Sequence, residues 1–184
     1  MVECRELGLR YGSRWVLRKI SIQVAPGQSL AIRGANGSGK SSLIRILAGL
    51  HAPTEGTVQK QGRLGYLALD LHLYPSLTAR QHLEFASRVK GISSGSDLAD
   101  FGLSGHEDNL VSTYSTGMRT RLKFAMMMLN DPDILLLDEP TAALDEAGQE
   151  LLAHHLSTRN DRVVLLATND PSDLRFATHE LTLA

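Results

Sequence analysis

The chain has 184 residues, of which 42% are hydrophobic and 21% are charged, which predicts one globular domain with a buried core. Its formal net charge of −1 argues against a protein whose main task is to bind nucleic acid. The single cysteine, Cys4, excludes a disulfide framework and a cysteine-based metal site. No stretch resembles a signal peptide or approaches the roughly 18 apolar residues of a membrane span, so we expect a cytoplasmic protein.

The N-terminal segment is predicted to form an antiparallel β hairpin. Its strands cover residues 2–9 and 15–24, and Tyr11-Gly12-Ser13 supplies the turn. Tyr11 is the aromatic residue of this turn, and two interpretations of it stay open. Its ring either stacks on an adenine base or packs against the hairpin.

A phosphate-binding loop is predicted between a strand over residues 29–33 and a helix over 43–48. The loop, Gly34-Ala35-Asn36-Gly37-Ser38-Gly39-Lys40-Ser41-Ser42, fits the pattern G-x-x-x-x-G-K-[ST], whose backbone N–H groups surround phosphates. The lysine adds charge near the terminal phosphates, the serine after it can ligate Mg²⁺, and the helix presents its positive end. A Gly/Ser-rich surface turn is the alternative, which the flanking strand and helix disfavour. The candidate nucleotide-binding residues are Gly34, Asn36, Gly37, Ser38, Gly39, Lys40, Ser41 and Ser42.

The middle of the chain is predicted to change from strands to helices. Short strands over 57–59 and 64–68 precede a helical insertion over 70–112, which contains an exposed Gly/Ser-rich stretch over 91–96. In this insertion Thr78 caps a helix that ends near Val89, and a short helix covers 97–103. A longer helix over 116–129 follows, capped by Ser115 or Thr116, so that the helical subdomain covers about 70–130.

The apolar run Ile134–Leu137 predicts a strand that is buried on both faces, as in a parallel sheet. Asp138 and Glu139 follow it at the end that faces the ligand crevice of open α/β sheets. One carboxylate there can hold Mg²⁺, and the other can polarise an attacking water. A capped strand end with surface acids is the alternative.

The last third of the chain is predicted to alternate helices and strands. A helix over 146–156, a buried strand over 162–167, a short helix over 171–177 and a strand over 180–183 close the chain. The buried strand ends at Asn169, again at the crevice. The seven histidines of the chain show no metal-ligand spacing, and we expect them at the surface or partly buried.

The order and spacing of these motifs resemble the ATP-binding subunits of ABC transporters over essentially the whole chain. Gly34–Ser42 resembles the Walker A loop, and Ile134–Glu139 resembles Walker B followed by the catalytic glutamate. Tyr114–Met118 resembles the family signature, usually written L-S-G-G-Q, and Ala142–Asp145 resembles the D-loop. Tyr11 lies where the family places its adenine-stacking aromatic residue.

The resemblance implies an α/β fold, a P-loop NTPase core with an N-terminal antiparallel β subdomain and a small α-helical insertion. Residues 1–184 would form one ATP-binding domain. Two copies would dimerise head to tail around two ATP molecules, with Ser115 and Gly117 of one copy covering the γ-phosphate held by the other. The movement would drive a separate transmembrane permease, on which the helical subdomain docks at the cytoplasmic face of the membrane.

The resemblance also implies the roles of individual residues. Glu139 would polarise the attacking water, and Lys40 would hold the β- and γ-phosphates. Ser41 and Asp138 would ligate Mg²⁺. Asp145 would join the nucleotide-binding set as the last residue of the D-loop.

Two departures from the family pattern bear on hydrolysis. Leu69, followed by Asp70, stands where the family has the glutamine of the Q-loop, and a leucine cannot ligate Mg²⁺ or orient water. Asn169 stands where the family has its switch histidine. Its amide can donate a hydrogen bond to a γ-phosphate but cannot carry a proton. The signature also differs, at Thr116 and Met118. The alternative function is therefore an ATP-gated clamp with slow or absent hydrolysis.

The chain ends soon after its last predicted strand, a length that resembles compact exporter ATPases such as the haem-exporter subunit of cytochrome c biogenesis. The ABC-type ATPases of DNA repair or translation carry long coiled-coil insertions or tandem cassettes, which this sequence does not contain. We therefore expect a transmembrane permease and a second copy of an ATP-binding subunit as partners, and no nucleic acid. The sequence does not identify the transported substance.

Overall fold

The computed structural model describes residues 1–92 and 97–183, and it divides into two compact units. The first, called the sheet unit here, comprises Met1–Tyr66, Asp133–Glu139 and Arg159–Ala184. The second, called the helical unit, comprises Leu67–Pro132 and Pro140–Thr158. Most of the Gly/Ser-rich stretch over 91–96, predicted to be exposed, lies outside the described residues. None of the described helices is long and apolar enough to cross a membrane.

Eight strands and four α-helices make up the described fold. The strands are β1 (Val2–Tyr11), β2 (Arg14–Val24), β3 (Ser29–Gly34), β4 (Glu55–Lys60), β5 (Leu64–Ala68), β6 (Ile134–Asp138), β7 (Val163–Ala167) and β8 (His179–Leu183). The helices are α1 (Lys40–Ala48), α2 (Ala79–Lys90), α3 (Thr116–Met128) and α4 (Glu146–Ser157). Three short 3₁₀ helices cover Leu98–Phe101, Val111–Thr113 and Pro171–Phe176. The mixture of antiparallel and parallel sheets confirms the predicted α/β class.

The sheet unit is built on two sheets. The antiparallel sheet has the order β2-β1-β4, and the second sheet has the order β5-β6-β7-β3-β8. In the second sheet β6 and β3 both run parallel to β7, and β8 runs parallel to β3. The carboxyl ends of β3, β6 and β7 therefore lie at one edge, which carries Gly34, Asp138 and Thr168.

The core of the sheet unit explains why its strands form where the apolar runs predict them. All five residues of β6 and all five of β7 are buried, as expected for strands covered on both faces. Leu43, Ile44 and Leu47 on one face of α1 join the same apolar cluster. Each buried leucine or isoleucine stabilises the fold by about 1.5–3 kcal/mol relative to exposure, so this cluster fixes the position of the phosphate loop between β3 and α1.

Several boundaries in the sheet unit differ from the sequence prediction, and Tyr11, predicted in the turn of the hairpin, is the last residue of β1. Helix α1 begins at Lys40, three residues before the predicted start, because Gly39 in the left-handed region serves as its N-cap. Strand β4 covers Glu55–Lys60 and so begins two residues before the strand predicted over 57–59. The predicted end of α1 is confirmed, since the Gly49 N–H donates to the carbonyls of Arg45 and Ile46.

Side-chain caps determine where the helices of the helical unit begin. Thr78 and Gln81 form a reciprocal capping box at the start of α2, and Ser115 caps α3 through the Met118 N–H at 3.2 Å. The helix predicted over 97–103 is a 3₁₀ helix of four residues, capped by Asp97.

Two histidines of the helical unit take part in its packing. The ring of Phe101 lies edge-on to Phe124 at 5.3 Å and stacks on His155 at 4.6 Å. His82 corrects the expectation that every histidine would be at least partly exposed, because only 1% of it is accessible. Its Nε2 accepts from the Tyr74 N–H at 2.9 Å, and its Nδ1 donates to the Thr78 carbonyl at 2.8 Å, so burial leaves neither nitrogen unpaired.

Candidate nucleotide-binding site

The loop between β3 and α1 has a backbone that requires glycine at both ends. Gly34 has φ of +149° and Gly39 has φ of +100°. A Cβ on Gly34 would lie 2.6 Å from the Leu183 carbonyl oxygen, and one on Gly39 would lie 2.8 Å from a methyl group of Leu17. The loop therefore curls tightly against the sheet, as a phosphate-binding loop must.

The buried side chain of Lys40 turns back onto this loop. Its Nζ donates to the carbonyl oxygen of Gly34 at 2.8 Å and to that of Ala35 at 3.3 Å. The ammonium group is thus held beside the loop by two neutral carbonyls. An anionic ligand in the loop would add a charge-assisted hydrogen bond to this group.

Two oxygen donors meet at the ends of α1 and β6. The Ser41 hydroxyl donates to Asp138 Oδ1 at 2.9 Å, and Asp138 is only 7% exposed. A hydroxyl and a carboxylate are the oxygen ligands that Mg²⁺ prefers, and Mg²⁺ usually keeps several waters and phosphate oxygens besides. The pair therefore fits Mg²⁺. Within the described residues no cluster of three or more His, Cys, Asp or Glu side chains offers another metal site.

Glu139 occupies a strained backbone position at the end of β6. Its φ is +50°, in the left-handed region, and its N–H donates to the Ala167 carbonyl at 2.9 Å. Burial raises the pKa of the Glu139 carboxyl, while the Asn169 N–H and the charge of Lys40 act in the opposite direction. A carboxylate with a raised pKa is a stronger base, which suits a group that orients or deprotonates water.

Asn169 contacts Glu139 from the end of β7. Its Nδ2 donates to Glu139 Oε1 at 3.1 Å and to Asn36 Oδ1 at 2.8 Å. Its backbone N–H donates to Glu139 Oε2 at 3.4 Å. The structure thus brings together a residue of the phosphate loop, the strand-end glutamate and the residue at the switch position.

An open cavity of about 400 Å³ lies at this edge of the sheet unit. Its lining comprises Tyr11, Arg14, Val16, Asn36, Gly37, Gly39, Lys40, Ser41, Ser42, Glu139 and Asn169. Nine of these residues are predicted from the sequence. Arg14 and Val16 are not, although the hairpin register that pairs Tyr11 with Arg14 could have indicated that Arg14 accompanies the aromatic ring.

The exposure of Tyr11 bears on its two interpretations. The residue is 55% exposed, and its ring lies edge-on to His51 with centroids 5.8 Å apart. Its hydroxyl lies 3.4 Å from His51 Nε2. A ring that lines the cavity and leaves much of its surface free favours base stacking over packing in the hairpin.

Three of the predicted residues, Ser115, Gly117 and Asp145, lie in the helical unit. The hydroxyl of Ser115 caps α3, and a Cβ on Gly117 would approach the Ala143 carbonyl to 3.4 Å. Asp145 pairs with Arg121 and caps α4 by accepting from the Gly148 N–H at 3.0 Å. The signature segment and the D-loop are thus neighbours within this unit, and Asp145 already has two partners there.

The segment at the Q-loop position has a backbone contact instead of a glutamine side chain. Leu69 is 42% exposed, and its carbonyl accepts a hydrogen bond from the Lys123 ammonium group on α3. Asp70 lies close enough to Lys123 to act on its pKa, which desolvation lowers. The sequence did not point to Lys123, because the contact joins residues 54 positions apart.

Comparison with known sequences identifies the family. Residues 17–142 match the family model described as ABC transporter. The chain is 35% identical over 194 residues to the cytochrome c biogenesis ATP-binding export protein CcmA 2 of Cupriavidus metallidurans, covering 94% of this chain and 92% of that protein. It is 36% identical over 174 residues to the aliphatic sulfonates import ATP-binding protein SsuB 1 of Rhodococcus jostii, covering 89% of this chain and 71% of that protein.

Solved structures show the same fold. The chain superposes on a dimeric bacterial ABC transporter cassette, MJ0796, with a TM-score of 0.88 at 24% identity, covering 100% of this chain and 94% of that chain. The same cassette in a dimeric post-hydrolysis state bound to ADP and Pi gives a TM-score of 0.88 at 23% identity, with the same coverage. The chain therefore belongs to the ABC transporter family, as one of its ATP-binding subunits.

Proposed function

We propose that this chain binds Mg·ATP in the cavity of the sheet unit and hydrolyses it to drive a separate membrane permease. The observation that carries the proposal is the presence of Lys40, Ser41 and Glu139 in the lining of this cavity, with Asp138 hydrogen-bonded to Ser41. A cation for phosphate, two oxygen ligands for a metal ion and a carboxylate of raised pKa are the parts that phosphoryl transfer to water requires.

Binding of the triphosphate would involve both ends of the cavity. The backbone of the loop from Gly34 to Gly39 would surround the phosphates, and Lys40 would exchange a carbonyl partner for a phosphate oxygen. Ser38 and Ser42 complete the polar part of the loop. Tyr11 would stack on the adenine, with Arg14 beside it in the lining.

Ser41 and Asp138 would hold the metal ion. Bound Mg²⁺ neutralises charge on the phosphates during phosphoryl transfer. The buried position of Asp138 and its hydrogen bond from Ser41 keep the two oxygens together, so little reorganisation precedes binding. Glu139, one residue further along the chain, would orient the attacking water and accept its proton.

The rate of ATP hydrolysis distinguishes two versions of this function, an active ATPase and an ATP-gated clamp. Leu69 presents an apolar side chain where the family has a glutamine, and Asn169 cannot carry a proton. These two residues favour slow turnover, and in the limit an ATP-gated clamp. Phosphate release by the wild type, compared with Lys40→Ala, distinguishes an active ATPase from the clamp.

A second copy of an ATP-binding subunit would complete the site. Ser115 and Gly117 lie at the N-terminus of α3, where a hydroxyl, backbone N–H groups and the helix dipole favour an anion. In a head-to-tail dimer this end of α3 would cover the γ-phosphate bound by the partner, with Asp145 of the D-loop at the dimer contact. Hydrolysis would remove the charge that joins the two copies, and the dimer would open.

The partner in the membrane would be a permease. Residues 1–184 would act as one ATP-binding domain, and the helical subdomain over about 70–130 would dock on the permease at the cytoplasmic face. The likeness to CcmA 2 supports a compact exporter, although a named import protein is also among the relatives. No nucleic acid partner is proposed, consistent with a net charge of −1.

Nucleotide binding is tested with a fluorescent ATP analogue, Mg²⁺ and the purified protein. We expect saturable binding of the analogue, which unlabelled ATP displaces. The Lys40→Ala variant should bind ATP about 100-fold more weakly than the wild type, because charge-assisted contacts to phosphate are strong. Lys60→Ala, on β4 and outside the cavity lining, is the matched control and should bind as the wild type does. Equal affinity of the Lys40 variant and the wild type would overturn the proposed site.

A further inference from the structure

The amide of Asn169 uses both of its N–H groups inside the site. One donates to Asn36 Oδ1 at 2.8 Å and the other to Glu139 Oε1 at 3.1 Å. The backbone N–H of the same residue donates to Glu139 Oε2 at 3.4 Å. One residue thus contacts both carboxylate oxygens of Glu139 and ties them to the phosphate loop.

The backbone that presents Asn169 is itself fixed. Thr168, which is fully buried, donates from Oγ1 to Asp173 Oδ2 at 2.6 Å and accepts from the Asp170 N–H at 2.9 Å. Its own N–H donates to the Ile32 carbonyl on β3 at 3.1 Å. The direction of the Asn169 N–H is therefore set by the sheet and the following 3₁₀ helix.

The chemistry of the amide explains what this residue can do. A primary amide has two N–H groups and can donate to Asn36 and Glu139 together, whereas a neutral imidazole has one. With both donors in use, Asn169 has none left for a γ-phosphate unless one of these bonds opens. The two hydrogen bonds to the Glu139 carboxylate described above both come from Asn169.

We propose that Asn169 is a positioning residue that, with Asn36, holds the Glu139 carboxylate in place for the attacking water. We call this arrangement of Asn36, Asn169 and Glu139 the amide latch. The inference rests on the proposed function, because it takes Glu139 as the group that polarises water. It assigns Asn169 to the carboxylate rather than to the γ-phosphate.

The first test separates turnover from binding. For Asn169→Ala the latch predicts a fall in kcat of about 10- to 100-fold, the effect of misplacing a catalytic group, with ATP affinity unchanged within about twofold. Asn169→Asp keeps the size of the side chain but removes both amide donors, so it should lose at least as much kcat. A purely structural role would tolerate Asp better than Ala. Asn160→Ala, at an exposed asparagine of the same unit, is the matched control.

The second test is a double-mutant cycle with Glu139→Gln, followed by the affinity for ATP and for ADP, because Glu139→Gln alone should already leave only a background rate of phosphate release. If the latch acts through Glu139, Asn169→Ala should leave both affinities unchanged in the Glu139→Gln background. If Asn169→Ala weakens the binding of ATP more than that of ADP, both in the wild type and in Glu139→Gln, the amide contacts the γ-phosphate and the latch is wrong.

The outcomes distinguish failure of the latch from failure of the proposed function. A wild-type rate of phosphate release equal to that of Lys40→Ala overturns both the latch and the hydrolytic version of the proposed function, since Glu139 then activates no water, and it leaves the ATP-gated clamp. A wild type that hydrolyses ATP and an Asn169→Ala variant of equal kcat overturn the latch alone.

Discussion

The Ser41 hydroxyl donates a hydrogen bond to Asp138 Oδ1 at 2.9 Å, although the two residues are 97 positions apart in the sequence. This contact joins the first turn of α1 to the end of β6, and so joins the phosphate loop to the acidic end of the buried strand. The two motifs that dominate the sequence are therefore parts of one site, since the parallel sheet places the ends of β3 and β6 at the same edge.

The Ser41–Asp138 pair predicts a metal-dependent gain in nucleotide affinity. Asp138→Asn removes the charge that attracts the cation, and Ser41→Ala removes the second oxygen. In the wild type, Mg²⁺ should strengthen ATP binding, and in either variant that gain should fall by about tenfold, the effect of about 1.4 kcal/mol. Titration of each protein with ATP, in the presence and in the absence of Mg²⁺, measures this gain in affinity. An unchanged gain in both variants would remove the pair from the metal site.

Tyr11 is predicted to bind the base and not the phosphates. Tyr11→Ala should weaken the binding of ATP by about 5- to 150-fold, because stacking of a base on an aromatic ring contributes about 1–3 kcal/mol. The same variant should bind inorganic triphosphate as the wild type does. Tyr11→Phe keeps the ring, loses only the hydroxyl contact to His51, and is expected to bind ATP nearly normally. A comparable loss for both ligands in Tyr11→Ala would contradict base stacking.

Gly34 is predicted to tolerate no side chain. A Cβ there would approach the Leu183 carbonyl to 2.6 Å, so Gly34→Ala must displace either β8 or the loop. We expect a lower melting temperature together with loss of ATP binding. Gly105→Ala is the control, because Gly105 also has a positive φ, of +78°, but no atom within 4 Å of its Cβ position. That variant should cost only about 1–2 kcal/mol of backbone strain and leave ATP binding intact.

The motifs of this chain were predictable because they are local, and several contacts were not because they join distant segments. Thr78 as a helix cap and the buried strand ending at Asp138 follow from spacing within a few residues. The bond between Asn36 and Asn169 spans 133 positions and depends on the order of strands in the sheet. The burial of His82 likewise depends on the path of the chain at Tyr74, which no periodicity encodes.

Asp133 is predicted to stabilise the sheet unit in a pH-dependent way. The side chain and N–H of Arg63 and the side chain of Arg159 donate to its carboxylate and hold the pKa of Asp133 well below its usual range. Because the folded-state pKa is the lower one, this stabilisation is complete above about pH 4, the unfolded value, and is lost as the pH falls toward the folded value.

Urea denaturation of the wild type and of Asp133→Asn measures this effect. The variant should lose about 1 kcal/mol of unfolding free energy at pH 7, and the same amount at pH 5. The difference between the two proteins should shrink at pH 3. A difference that stays constant from pH 7 to pH 3 would show that the Asp133 charge is not its source.

We propose that this chain is an ATPase whose water-polarising base is Glu139. The most direct test of this proposal is Mg²⁺-dependent phosphate release by the purified wild type, Glu139→Gln and Lys40→Ala. We expect a measurable rate for the wild type and background rates for both variants. Of the two variants, only Glu139→Gln should still bind ATP and accumulate as an ATP-bound dimer. A Glu139→Gln variant that releases phosphate as fast as the wild type would contradict the proposal.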